Sequence, residues 1–265
     1  MEKRRAIKLA KKLKFSYFTS RYWLEFLCEY KRVNRENLVY IKALDGENYI
    51  LQYPPQKLAN LENAEINLAT TAEIAYLQDK VEILEQKQMM SEYFFKTQDI
   101  INLTGVKHKK NRQAINSFEK EYNYQLTQEY DREKIIKFLD DWDQGQVLKT
   151  APYDRGLKFC HFLLDHLNKD KKLKTVFVSV DNKLVGFSIG ELLNKKQWIA
   201  LHQKVDYNYK GLGRWLFRER AKLFSGVEEF ANGGAMGDKG IVEFKESLRP
   251  HQTIPYYYLK LGKLK

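Results

Sequence analysis

The chain has 265 residues, of which 43% are hydrophobic and 14% aromatic, and a formal net charge of +12 from 46 basic and 34 acidic side chains. That length suits two domains and that apolar share can fill a core, which excludes a wholly disordered chain. The excess of cations points to phosphate-bearing partners (nucleic acid, nucleotide cofactors or anionic lipid), and it fits equally a lysine-rich composition with no partner behind it.

In chain order, MEKRRAIKLAKKLKF is basic, with Ala6, Leu9, Ala10 and Leu13 on one helical stripe. It lacks the apolar stretch of a signal peptide, and fits either a helix packed on its own domain or one lying on anionic membrane. The aromatic run Ser16 to Tyr30 reads as a helix. NLVYIKAL and NYILQY flank Asp45-Gly46, a hairpin signal, and Pro54-Pro55 ends the second strand. Thr70 to Gln88 reads as a helix capped by Thr71, with Ala75, Leu77, Val81 and Leu84 apolar. SEYFFKT is a short strand, TQDIINLTG a short helix stopped by Gly105, GVKHKKNRQAINSFEKEY a basic helix, and YNYQLTQEY another strand.

A second round follows. Asp131 to Asp143 is helical with Ile135, Ile136 and Leu139 inward, and so is Asp154 to Asn168. KTVFVSV and KLVGFSIGELL form a hairpin through Asp181-Asn182, and QWIALHQKV is the next strand. A glycine turn at Gly211 to Gly213 opens a helix to about Phe224. The strand VEEF, a glycine-rich loop, a helix capped by Asp238 and the apolar run TIPYYYLKL complete the chain. Both halves run through helices, a hairpin and further strand and helix. The expectation is α/β (α+β), with two domains at 1–127 and 128–265, each a mixed twisted sheet flanked by helices.

The chain has no run of about 18 apolar residues, so no transmembrane segment is expected. Its two cysteines, Cys28 and Cys160, lie far apart in apolar surroundings and read as reduced core thiols, fitting a cytoplasmic location, with no metal site expected.

DYNYKGLGRWLFRERAKLF places Gly211 and Gly213 between a strand and a helix, where exposed backbone N–H groups can receive a pyrophosphate. It is neither a Walker loop nor a dinucleotide fingerprint. The frame resembles the acyl-CoA turn of GNAT N-acetyltransferases, with Asn208 where those enzymes carry Gln or Arg; a plain strand-to-helix turn needs the same small residues. In the basic helix, Lys109, Arg112, Asn116 and Lys120 fall within about 80° of arc, opposite Ala114, Ile115, Phe118 and Tyr122. That face suits phosphates, with Arg as a fork and Lys as point charges, and it also suits plain solvation.

Several stretches together resemble the C-terminal domain of the phosphatidylglycerol lysyltransferases (DUF2156 type). They are GVKHKKNRQAINSFEKEY (Gly105, Lys107, Lys109, Lys110, Arg112, Asn116, Phe118, Glu121, Tyr122), VGFSIGELL (Phe187, Ile189, Gly190, Glu191), YKGLGRWLFRE (Tyr209, Gly211, Glu219) and NGGAMGDKGIVEFKESLRP (Asn232, Gly237, Gly240, Lys245, Ser247, Pro250). The resemblance implies tandem GNAT-like domains, as in the Fem-type aminoacyl transferases. It also implies acyl or aminoacyl transfer, from aminoacyl-tRNA to a lipid headgroup in the membrane-bound members.

Such a transfer needs deprotonation of the acceptor, stabilisation of the carbonyl oxygen and an aligned donor, and no covalent nucleophile. Glu191, at the end of an apolar strand, is the candidate base. Lys245 and Asn232 are candidates to stabilise charge, each also readable as an ordinary surface or loop residue. Lys109, Arg112, Asn116, Lys120, Gly211 and Gly213 are candidates for donor phosphates. Three functions stay open: aminoacyl-tRNA-dependent transfer, acyl-CoA-dependent N-acylation, and a non-enzymatic RNA- or protein-binding module. No tightly bound cofactor is expected. The expected partners are tRNA or acyl-CoA as co-substrate, and a small molecule, peptide or lipid headgroup as acceptor.

Overall fold

The computed structural model describes residues 16–32, 39–43, 48–51, 65–129, 131–144, 151–167, 169–235 and 238–265. The amphipathic stripe of the first fifteen residues, the Asp45-Gly46 turn, Pro54-Pro55 and Gly237 lie outside the described residues, as does the Cys28 side chain. The chain forms two compact units, one of Met1–Tyr93, Gly233–Val242 and Gln252–Lys265, the other of Phe94–Asn232 and Glu243–His251.

In the first unit, α1 (Arg21–Leu27) leads into an antiparallel sheet of β1 (Cys28–Arg32), β2 (Val39–Ala43) and β3 (Asn48–Leu51) in that order. The β2–β3 hairpin forms as expected, with Val39 opposite Leu51. The helix expected through Tyr30 ends at Leu27, because Cys28 to Arg32 take up backbone pairing with β2. Next come β4 (Glu65–Ala69), α2 (Thr71–Leu77) and β5 (Val81–Lys96). The helix expected to reach Gln88 stops at Leu77, and SEYFFK is the end of one 16-residue strand, with Thr97 opening the next helix. Leu77 and Val81 share a core with Ile66, Ile74, Leu259 and Leu261, the last two from β11 (Gln252–Leu264). Thr70 rather than Thr71 caps α2, its N–H and hydroxyl both donating to Glu73 Oε2 at 2.6 and 2.8 Å.

One carboxylate anchors the same unit. Glu92 is fully buried and accepts from Ser16 Oγ at 2.7 Å, the Tyr17 N–H at 2.5 Å and Tyr256 Oη at 2.9 Å. Burial and the neighbouring Glu92 push the Tyr256 hydroxyl far above its ordinary range, so it stays a donor.

The second unit begins with the last residues of β5 and α3 (Thr97–Asn102), α4 (Lys109–Glu121) and β6 (Tyr124–Thr127). It continues with α5 (Arg132–Gln144), α6 (Ala151–Leu164), β7 (Leu173–Val180), β8 (Lys183–Leu192), β9 (Gln197–Val205), α7 (Leu212–Lys222), β10 (Glu229–Ala231) and the end of α8 (Lys239–Ser247). Its strand order is β5-β10-β9-β8-β7-β6. The β9–β10 pair is parallel and its other pairs are antiparallel, so the sheet is mixed and the fold is α/β as expected. Asp181 and Asn182 turn the β7–β8 hairpin with φ of 49° and 64°, the left-handed pair that matches strand twist.

Helices α4 and α7 cover one face, where Ile115, Phe118, Trp215 and Leu216 meet Val176, Val178 and Val185. Helices α5 and α6 cover the other, with Phe138 against Phe187 and Phe159 against His202. On α5, Phe138 takes the buried place expected of Ile136, which is half-buried. Beneath α7, Trp198 stacks on Phe224 at 4.3 Å, and a Cβ at Gly190 would stand 2.6 Å from that Phe224 ring.

Gly211 joins α4 to α7. Its φ is +85°, and a Cβ there would stand 2.1 Å from the Ala114 carbonyl oxygen of α4. Gly211→Ala therefore adds left-handed strain to a backbone collision, and should lower unfolding free energy by about 2–4 kcal/mol. Urea denaturation followed by circular dichroism measures this; a loss within about 0.5 kcal/mol, the range of ordinary surface substitutions, would show that the contact relaxes freely.

Candidate functional site

Strand β9 loses regularity and a neighbour at the same level. In its pairing with β8 the register moves from Ile189 opposite His202 to Gly190 opposite Ala200, so Leu201 is an extra residue, a β-bulge. On its other side β10 pairs only with Gln197, Trp198 and Ile199. Among the described residues, Ala200 to Val205 have a strand partner on the β8 side alone.

Glu191 and Asn232 belong to this level of the sheet, and Lys245 is joined to the second of them. Glu191, Ile199 and Ala231 are mutually opposite across β8, β9 and β10. At ~4.8 Å per strand the Glu191 and Ala231 backbones are about 10 Å apart. Asn232 follows Ala231, and its carbonyl oxygen accepts a short hydrogen bond from Lys245 Nζ on α8. Glu191 is 2% exposed and Lys245 7% exposed, so a carboxylate and an ammonium are both withdrawn from water here. Glu191 lies on the strand face opposite Gly190 by simple alternation. Asp238 caps α8 as expected, accepting from the Ile241 N–H at 2.9 Å.

The glycine turn lies elsewhere. Six residue steps along β9 lead from Ile199 to Val205, about 20 Å of strand. Gly211 is pressed on Ala114, and the Gly213 carbonyl accepts from Gln203 Nε2 at 3.0 Å. Asn208 holds Asp206 within its own turn at 2.8 Å. Close packing thus accounts for these small residues, and the structure does not bring them to the Glu191–Asn232–Lys245 level.

On α4, Lys109, Asn116 and Lys120 are exposed and Ile115 and Phe118 buried, so polar and apolar faces separate as expected. Arg112 is half-buried, and its Nη1 donates to the carbonyls of Leu103 and Gly105. It thereby closes the end of α3, where Leu103 is left-handed at φ 49°. Part of the fork expected to face phosphate is committed to the fold.

A second polar staple was not foreseen. Asn111, 2% exposed, accepts from Arg214 Nε at 2.9 Å and donates to the Ser247 carbonyl at 2.7 Å, while Arg214 Nη2 reaches Ser247 Oγ at 3.1 Å. It ties α4, α7 and α8 together. Beside it lies His108, 1% exposed, kept neutral by burial and by Lys107. His202, next to the bulge, packs against Phe159 and Phe187, and burial holds it neutral well below its ordinary range. In sequence both read as single histidines without spacing, a pattern with no signal.

Among the described residues, no cluster of His, Cys, Asp and Glu is fit to hold a metal ion, and no helix is long and apolar enough to cross a membrane.

Residues 60–260 match the family model described as phosphatidylglycerol lysyltransferase, C-terminal. A conserved protein from Bacteroides thetaiotaomicron superposes with a TM-score of 0.74 at 16% identity, covering 98% of this chain and 97% of that one. L-PGS from Bacillus licheniformis superposes with a TM-score of 0.62 at 14% identity, covering 97% and 91%. At such identities the likeness shows a shared fold. By sequence, an uncharacterised protein of Mycoplasmoides gallisepticum is 22% identical over 216 residues, 78% of this chain and 68% of that protein.

The half-buried, neutral His202 sets an acid limit on stability. Its folded pKa lies below 6.5, so in acid the unfolded chain binds a proton the folded one excludes. Stability should fall as pH drops below about 6.5, by up to about 1.4 kcal/mol per pH unit from this residue. Denaturation curves at pH 7.5, 6.0 and 5.0 should show that slope, and His202→Leu should reduce it by one proton; an unchanged slope in the variant would assign it elsewhere.

Proposed function

The chain belongs to the phosphatidylglycerol lysyltransferase C-terminal family, and from that premise we propose that it transfers an activated aminoacyl group from aminoacyl-tRNA to an amine or hydroxyl acceptor. The observation that supports this reading is the common strand level of Glu191 and the start of the Asn232 loop, which Lys245 holds, where β10 ends and β9 bulges. Glu191 takes the proton of the attacking amine or hydroxyl. Lys245, its charge turned to the Asn232 carbonyl, fixes that loop and offsets negative charge on the carbonyl oxygen, with the Asn232 amide as a further donor. The new bond forms as the ester C–O bond breaks, and the tRNA ribose oxygen leaves with a proton. The acceptor is a small molecule, a peptide or a lipid headgroup.

Lys109, Asn116 and Lys120 serve the tRNA backbone from the exposed face of α4, with Arg112 contributing only the donors left over from Leu103 and Gly105. In this proposal two GNAT-like domains make up the chain, each built on one of the two compact units rather than split at residue 127. Acyl-CoA is the second donor considered, favoured by the departure of β10 from β9 beyond Ile199. The Ala114 carbonyl packed on Gly211 counts against a pyrophosphate at that glycine.

Filter binding with charged tRNA and transfer of a labelled amino acid separate these possibilities. Lys109→Glu with Lys120→Glu should weaken tRNA binding at least tenfold and reduce the salt slope by about 1.5 log units per log salt, with folding intact. Glu191→Gln should lower kcat about a hundredfold at unchanged tRNA affinity. Stabilisation by CoA without tRNA binding would favour the acyl-CoA donor. RNA binding without turnover, indifferent to Glu191→Gln, would leave a binding module.

A further inference from the structure

Helix α8 has nine residues, Lys239 to Ser247, and of these only Lys245 is buried. A helix of that length is marginal on its own, and one buried side chain gives it little core to rest on. Its last turn is instead gripped by polar groups from two other helices. Arg214 on α7 sends Nη2 to Ser247 Oγ at 3.1 Å and Nε to Asn111 Oδ1 on α4 at 2.9 Å. Asn111 Nδ2 donates to the Ser247 carbonyl at 2.7 Å and lies 3.3 Å from His108 Nδ1. Ser247 Oγ donates to the Phe244 carbonyl at 2.7 Å, one turn back, and Arg214 Cζ stands 5.6 Å from the centroid of the Phe244 ring. Phe244 also meets Phe217 of α7 edge-on at 5.9 Å.

Arg214 is half-buried and always charged, so both of its hydrogen bonds are charge-assisted. Asn111 gives its oxygen to Arg214 and an amide hydrogen to Ser247, and its amide cannot turn over without losing both. The grip and Lys245 lie on different sides of one turn. At 100° per residue, Ser247 stands about 60° from Phe244, and Lys245 about 100° from Phe244 and about 160° from Ser247. Phe244 and Ser247 face α7, while Lys245 turns away to the Asn232 carbonyl that its Nζ holds. A side-chain tip ~6 Å from a helix axis moves about 1 Å for ~10° of rotation. The grip on Ser247 thus sets where the Lys245 ammonium stands.

We propose that Arg214 is a positioning residue for the transfer reaction: through Ser247 it fixes the rotation of α8, and with it the place of the Lys245 ammonium on the Asn232 loop. The proposal rests on the part given to Lys245 above. Arg214 acts through Ser247 and needs no contact with donor or acceptor. Its two-pronged contact is one that a lysine does not reproduce, because an ammonium is a point charge.

Reductive methylation of the full chain, read at Lys245 by peptide mass spectrometry with the exposed Lys239 as reference, reports that placement without any transfer. Arg214→Lys and Ser247→Ala should each speed Lys245 methylation about tenfold, the gain in open population when a charge-assisted hydrogen bond is lost. Ser247→Thr keeps the hydroxyl and should label like the unaltered chain. Glu119→Gln breaks the Arg218 ion pair between α4 and α7 without touching α8, so it should leave Lys245 unchanged. In the transfer assay the first two variants should lose about ten- to a hundredfold in kcat at an unchanged KM for charged tRNA, and Ser247→Thr should retain it. Should Arg214→Lys not fold, Ser247→Ala against Ser247→Thr carries the same comparison. Equal labelling in all these variants, or equally faster labelling in Glu119→Gln, would overturn the positioning. So would faster labelling with kcat unchanged in a chain whose transfer Lys245→Met abolishes. Faster labelling in a chain that transfers normally as Lys245→Met would uphold the hold of Arg214 on that lysine and overturn the catalytic part given to it.

Discussion

Strand β9 is held along nearly its full length by β8 and for only three residues by β10. That imbalance orders much of the second unit. A strand that loses one neighbouring strand must satisfy its backbone there by other means. The bulge at Leu201 turns the strand where its second partner is lost, so the freed stretch follows a direction of its own. Helix α7 then returns along one face, and Gly211, which opens it, admits the Ala114 carbonyl of α4. Pairing with β10 thus ends at Ile199, while α4 packs on the glycine turn that follows the strand.

The buried polar groups divide into those that hold the fold and those whose placement needs another reason. Glu92 is surrounded by donors from Ser16, Tyr17 and Tyr256, so its burial is compensated locally. Asn111 with Arg214 and Ser247, and Arg112 with the carbonyls of Leu103 and Gly105, do the same between helices. Lys245 on the Asn232 carbonyl resembles them in geometry. It differs in position, because the loop it holds begins at the last paired residue of β10.

The hairpin of β7 and β8 was legible because Asp181-Asn182 supplies the left-handed turn and the flanking runs are β-branched and aromatic. Strand β5 was not, because Leu77, Val81 and Leu84 recur at i, i+4 and i+7 and satisfy a helix as well as a strand. Only the chain-distant Leu259 and Leu261, sharing a core with Val81, decide between them. Glu191, Asn232 and Lys245 were legible as candidates through family resemblance, yet their common level was not. It depends on which residue of β8 faces which of β9, and the slip at Leu201 shifts that by one. The structural part played by Arg112 was hidden for a similar reason. A leucine in a left-handed helix cap leaves no glycine signature, so the carbonyls awaiting its guanidinium could not be read from the sequence.

Charge on α4 is consequently of two kinds. Arg112 is spent largely inward, and a guanidinium already donating to two carbonyls gains less from a phosphate than a free one, because its planar fork cannot turn to both. Lys109 and Lys120 are exposed, bound to water, and able to exchange that water and their counterions for phosphate oxygens without disturbing the helix. Long-range attraction thus resides in residues that the fold does not need, and orientation of the helix in one that it does. A nucleic acid drawn to the exposed lysines would meet a helix whose direction is already fixed by Arg112, Asn111 and Gly211, so little ordering remains to oppose binding.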